Sequence, residues 1–186
     1  MNFSNEDLMK VINRKPLGDF CPYEDWVEKQ ESTFFDNIIN DLRSCELIDM
    51  EIDYTHGCGY ASYIDIFCYK SDGSSTEIID DTKFIDGIKI YLCKLAPVAV
   101  YGESRMGKSD SGASYYILNE CGVGTLPDGD WSDVMSALKN TFKKHDVQIL
   151  EKSYISKPLE FKTKIHTIFA EEDAYTVFDA FFYFED

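Results

Sequence analysis

The run from Gly87 to Gly102 (Gly-Ile-Lys-Ile-Tyr-Leu-Cys-Lys-Leu-Ala-Pro-Val-Ala-Val-Tyr-Gly) is the most apolar stretch of the chain and lies near its middle. Ile88, Ile90, Leu92, Val98 and Val100 read as buried strand positions, and Pro97 marks an edge, a bulge or a bend between them. Any fold for this chain must bury that pair of segments. A second period-two pattern precedes it. Ile48, Met50, Ile52 and Tyr54 alternate with Asp49, Glu51 and Asp53, Gly57-Cys58-Gly59 supplies a turn, and Tyr60–Tyr69 returns as the partner strand. The expected register sets Ile64 opposite Ile52, Ile66 opposite Met50 and Glu51 opposite Asp65. Asp49, Glu51, Asp53 and Asp65 then share one face. Like charges across a strand pair are unfavourable, so that face is expected to be wet and to meet something cationic.

Directly after the central run, Gly102-Glu103-Ser104-Arg105-Met106-Gly107-Lys108-Ser109 fits the phosphate-loop pattern G-x-x-x-x-G-K-[ST]. Such a loop requires a strand before it and a helix after it, whose first amides hold the phosphates. The strand is present, but Asp110, Ser111 and Gly112 follow, and then four contiguous apolar residues without helical spacing. The segment therefore reads as a polar loop joining two strands. A phosphate-handling enzyme using Gly102, Gly107, Lys108 and Ser109 is the alternative.

Helix signals flank the strands. Ser4 caps a short helix to Asn13, with Asp7 three residues on. Val27, Phe34, Ile38 and Leu42 place one stripe on a helix from Tyr23 to Leu42. Asp130 and Asp133 open another, with Trp131, Val134, Met135, Leu138 and Phe142 on one face and Lys143, Lys144 and His145 at its C-terminus. Turns are expected at 71–75, at Asp80-Asp81-Thr82 and at Asp86-Gly87. Ser114–Leu118, Val147–Leu150, Phe161–Phe169 and Tyr175–Phe184 are the remaining strand expectations. The last is so aromatic that it must be buried on both faces or covered by a helix. Together these give a single α+β domain over residues 1–186: a mostly antiparallel or mixed sheet, with N-terminal helices and one helix near 130–145 packed on it.

The chain is 44% hydrophobic and 15% aromatic, which argues against disorder. Its formal charge is −16, with 9 Lys and Arg against 19 Asp and Glu in residues 1–95 and 9 against 15 in residues 96–186. Such a surface repels nucleic acid and anionic membranes and steers a basic partner toward itself. The start of the chain has no apolar segment of the signal-peptide kind, and no uncharged apolar run reaches membrane-spanning length, so a cytoplasmic location is expected. The six cysteines are scattered without metal-ligand spacing and read as reduced thiols. His56 beside Cys58 lacks an orienting third group. Glu51 with Asp65 has the chemistry of an acid–base pair or a divalent-ion site, but nothing in the sequence supplies a pocket. No catalytic residue, metal or cofactor is expected.

Leu95-Ala96-Pro97-Val98-Ala99-Val100-Tyr101-Gly102 and Thr176-Val177-Phe178-Asp179-Ala180-Phe181-Phe182-Tyr183, in an acidic α+β chain with aromatic strands, give it a profile that resembles the bacterial immunity proteins of polymorphic and contact-dependent toxin systems. That resemblance implies a protein that binds a cognate toxin domain, often a basic nuclease, and occludes its active site. It carries over no binding residue. From the residues alone, Asp49, Glu51, Asp53 and Asp65 are the expected partner-binding set. A regulatory interaction domain with a partner unrelated to toxins is a further alternative.

Overall fold

The computed structural model describes residues 3–20, 33–54, 59–109, 112–167 and 174–185. The chain folds as α+β, with a curled and mainly antiparallel sheet. Helix α1 (Asn5–Ile12) starts where the sequence places it: the Asp7 amide donates to the Ser4 hydroxyl, and the Ser4 amide donates to the Asp7 carboxylate. Helix α2 (Thr33–Arg43) buries Phe35, Ile38, Ile39 and Leu42. The earlier part of that expected helix, 23–32, lies outside the described residues.

Strands β1 (Ile48–Asp53) and β3 (Tyr63–Lys70) form the expected antiparallel pair, but the register is displaced by two residues. Ile66 faces Ile52, Cys68 faces Met50, Phe67 faces Glu51, and Asp65 faces Asp53. The cause lies outside the hairpin. Tyr60–Ala61 forms a separate strand, β2, paired with β9 (Phe184–Glu185) at the far end of the chain. Ser62, fully buried, fixes that junction: its hydroxyl donates to the Phe181 carbonyl at 2.9 Å and accepts from the Tyr183 amide at 2.9 Å. A slip of two preserves side-chain parity, so each residue keeps its face.

Beyond a turn, β4 (Thr76–Ile79) continues the line of β3 and pairs with the start of β5 (Thr82–Cys93) through a tight turn at Asp80-Asp81, both at positive φ. Sequence patterning had not marked β4. Asp86-Gly87, expected as a turn, lies inside β5. Gly87 is needed there because a Cβ would sit 2.6 Å from the Phe67 ring and 2.5 Å from the Cys68 carbonyl. Strand β6 (Val98–Ser109) runs antiparallel to β5, and Lys94–Pro97 makes the bend between them. Strand β7 (Gly112–Tyr115) starts two residues before the expected Ser114–Leu118 strand and ends at Tyr115, so 116–118 are not strand, and a 3₁₀ turn follows at Glu120–Gly122.

Helix α3 (Ser132–Lys144) buries the predicted apolar face, and β8 (Gln148–Ile149) pairs in parallel with β6. After α4 (Lys152–Ile155), residues 161–167 form no strand; the rest of that expected strand falls outside the described residues. Burial alternates there, with Ile165 in and Lys164 and His166 out, but among the described residues 161–167 pair with no strand. The aromatic run near the C-terminus is a helix, α5 (Val177–Phe181), rather than a strand. The Thr176 amide and hydroxyl donate to the Asp179 carboxylate at 2.8 and 2.9 Å, closing a capping box. Every residue of α5 is buried, so its composition has no face to reveal.

The main sheet order is β1-β3-β5-β6-β7. One face packs Ile48, Ile64, Ile66, Ile88, Ile90 and Leu92 against α2 and α3. The other packs Tyr63, Tyr91, Val98 and Val100 against α1 and α5. Covering both faces explains why the central run is almost continuously apolar.

Candidate functional site

The four predicted partner-binding carboxylates do share one face, but they are not equivalent. Asp49 and Asp53 are exposed on the edge strand β1. Asp65, one strand further in, accepts at 2.9 Å from the Lys89 ammonium of β5. The Lys89 residue is only 3% exposed. Glu51 pairs with Lys108 of β6. The expectation of four unpaired, wet carboxylates is therefore corrected: two are held by lysines of the same sheet. Three inter-strand steps, about 14 Å in a flat sheet, separate β1 from β6, so the Glu51–Lys108 pair depends on the curl of the sheet. Phe67, Ile85 and Met106 form a small apolar cluster on this face, with Tyr69 packed against it. Burial, then Asp49 and Glu51, push the Tyr69 phenol pKa up, and Lys108 opposes them.

Gly102–Ser109 is not a loop but the second half of β6, paired with β5 along its length and with β7 over 106–109. Its amides run along a ladder and do not converge on a point, as a phosphate cradle requires. Each element of the motif has a structural account. A Cβ on Gly102 would lie 2.3 Å from the Gly122 carbonyl oxygen, because the 3₁₀ turn crosses β6 at that position. A Cβ on Gly107 would meet the Ser114 hydroxyl at 3.1 Å and the Phe84 ring at 3.4 Å. Lys108 is the ion partner of Glu51, and Ser109 closes the ladder opposite Gly112.

Glu51 and Asp65 each hold a lysine, so the acid–base or divalent-ion reading of that pair finds no support in the geometry. His56 and Cys58 lie outside the described residues. His145 and Lys144 both reach Asp41, at 2.6 and 2.7 Å, and tie α3 to α2. They hold Asp41 below the usual carboxylate range, with Lys144 contributing most. Cys45, Cys68, Cys93 and Cys121 are free thiols.

Two surface features escaped sequence reading. The β4–β5 hairpin leaves Ile78 and Ile79 exposed beside Asp80 and Asp81, with Glu77 paired to Arg105. On the same strand face as Glu77 and Arg105, burial and the nearby Asp128 push the Asp86 carboxyl pKa up. The second feature is a groove of about 590 Å³ between the C-terminal half of α3 and the β8–α4 segment. The four residues of β4, Thr-Glu-Ile-Ile, do not alternate and lie among turn residues, so no period marks the hairpin.

The structure thus defines an α+β protein with helices on both faces of a curled sheet and an acidic edge strand. No family model matches the chain, and neither a curated protein nor a solved structure matches it. Among the described residues no helix is long and apolar enough to cross a membrane.

Proposed function

We propose that this chain is a binding protein for a cationic protein partner, and that it neutralises a basic toxin domain as the immunity proteins it resembles do. The observation that carries the reading is the arrangement at β1. Asp49 and Asp53 stand exposed on an edge strand, with Lys94 acting on Asp53, while Lys89 and Lys108 are engaged with Asp65 and Glu51. In a chain of net charge −16, that strand offers a partner negative charge at an accessible sheet edge. Complementary charge of this kind acts mainly on the association rate and on discrimination between partners.

The test is direct association with a basic toxin domain, sought first in the reading frames that neighbour this chain's own. Mixing kinetics are measured at low and high salt for the natural chain and for a variant carrying Asp49→Lys and Asp53→Lys. The expected result is an association rate that falls with salt and drops about tenfold or more in the variant, with fold stability retained. Association indifferent to both salt and charge reversal would refute the assignment to β1. Failure of the chain to block the domain's activity would refute toxin neutralisation.

A further inference from the structure

The negative charge is not uniform. Residues 139–164 contain seven lysines (139, 143, 144, 152, 157, 162 and 164) against three carboxylates, Asp146, Glu151 and Glu160. That segment carries +4 in a chain of −16, which leaves −20 for the rest. The groove noted above opens in this segment. Lys139 and Lys143 line one wall from α3, Lys152 lines the other from α4, and Tyr101, Phe142 and Ile149 contribute to the floor. Its volume of about 590 Å³ falls in the range of small-molecule sites.

The lysines themselves point to a ligand. Lys139 and Lys143 are exposed and one helical turn apart, where like charges repel. Among the described residues, no carboxylate lies within 4 Å of either ammonium or of Lys152, although the chain has 34 Asp and Glu. Lys144, on another side of α3, does find Asp41, so partners exist for lysines of this helix. Lys152, on the groove lining, donates to the Cys121 carbonyl at 2.5 Å, which holds its ammonium in one position.

We propose that this groove binds a small, multiply charged anion, a phosphate- or polycarboxylate-bearing molecule, through Lys139, Lys143 and Lys152. Tyr101, Phe142 and Ile149 underlie its apolar part. Asp146 and Glu151, on the same lining, accept hydrogen bonds from any hydroxyl or amino group the ligand carries beside its anionic groups. This site is distinct from the motif at Gly102–Ser109, whose lysine lies in the β6 ladder and faces Glu51.

The experiment is calorimetric and NMR titration of the full chain with inorganic pyrophosphate and, separately, with citrate. Saturable binding of either, weakened by salt, is expected; which of the two binds more tightly identifies the favoured anion chemistry. Lys139→Ala and Lys143→Ala should each lower affinity about tenfold, since each removes one charge-assisted contact. Lys108→Ala should leave it unchanged. Unliganded stability of the Lys143→Ala variant should equal or slightly exceed that of the natural chain, because a repulsive pair is relieved. Lack of saturable binding of both probes at millimolar concentration would overturn the proposal. So would affinity that survives both α3 substitutions, or affinity abolished by Lys108→Ala.

Discussion

Replacing Asp65 with alanine tests whether the acidic strand face is a solvated surface or part of the interior. The Lys89 side chain is 4% exposed and that of Asp65 is 15% exposed, with the ammonium and carboxylate 2.9 Å apart. At an effective dielectric of about 20, two unit charges at that separation attract by about 6 kcal/mol. Much of that attraction offsets the desolvation of both ions, so the pair adds little net stability over an apolar pair of similar shape. Truncation removes the attraction and leaves the desolvation of Lys89 in place. Asp65→Ala should therefore cost about 3–5 kcal/mol, against less than about 1 kcal/mol for an exposed ion pair. Lys89→Met should cost less, because Asp65 is nearer the edge and recovers some water. The double variant Asp65→Leu with Lys89→Met should return to within about 2 kcal/mol of the natural chain, leaving a large coupling energy in the cycle. Urea unfolding followed by tryptophan fluorescence measures each midpoint at constant m. A cost below about 1 kcal/mol for Asp65→Ala would refute this reasoning and return Asp65 to the wet face that strand alternation alone implies.

Gly102→Ala should destabilise by about 1–3 kcal/mol or more in the same assay, since its Cβ would lie 2.3 Å from the Gly122 carbonyl and a backbone must move. Lys108→Ala should cost under about 1 kcal/mol, because the pair with Glu51 is well exposed; a nucleotide-dependent rise in melting temperature abolished by this substitution would contradict the strand assignment. In alkali, burial pushes the phenols of Tyr60 (to about 12), Tyr63, Tyr91 and Tyr183 above their ordinary 10.0, and the thiols of Cys68 and Cys93 above 9.0 to about 12. The unfolded chain releases those protons first, so stability is full below pH 9 and falls steeply above 10. Lys94, pulled by burial from 10.5 to about 8, works against the fall by one group. Each unopposed group contributes about 1.4 kcal/mol per pH unit; tyrosinate absorbance that rises for all 12 tyrosines well before unfolding would contradict this. Of the four described cysteines, thiol reagent should label exposed Cys121 first and Cys45 next, with Cys68 and Cys93 reacting only on unfolding, and denatured protein should show six thiols in all.

Where a signal is local, it was legible. Ser4 with Asp7, and the spacing of Val134, Leu138 and Phe142, place α1 and α3 because capping and helical periodicity involve neighbours within one or two turns. Alternation in 48–53 and 63–69 assigned each side chain to its face even though the register slipped, since parity is unchanged by a shift of two. The Thr176–Asp179 spacing that caps α5 was not singled out in the sequence, because the aromatic run around it reads as a strand. Burial of that run on every side erases the period that distinguishes helix from strand.

The sequence by itself determined which segments are buried, which way their side chains alternate, and the excess of negative charge. Those properties reside in composition and near-neighbour spacing. Tertiary structure decided the rest. Pairing of Tyr60–Ala61 with Phe184–Glu185, more than 120 residues away, set the β1–β3 register. Curl of the sheet brought Lys108 to Glu51, and the β3–β5 register brought Lys89 to Asp65, turning part of an apparent acidic surface into one half-exposed and one buried ion pair. Crossing of the 3₁₀ turn over β6 required the glycine that opens the apparent phosphate loop. A motif or a charge stripe specifies residue types at intervals along a chain; which group stands within 3 Å of another depends on contacts between segments that no interval encodes.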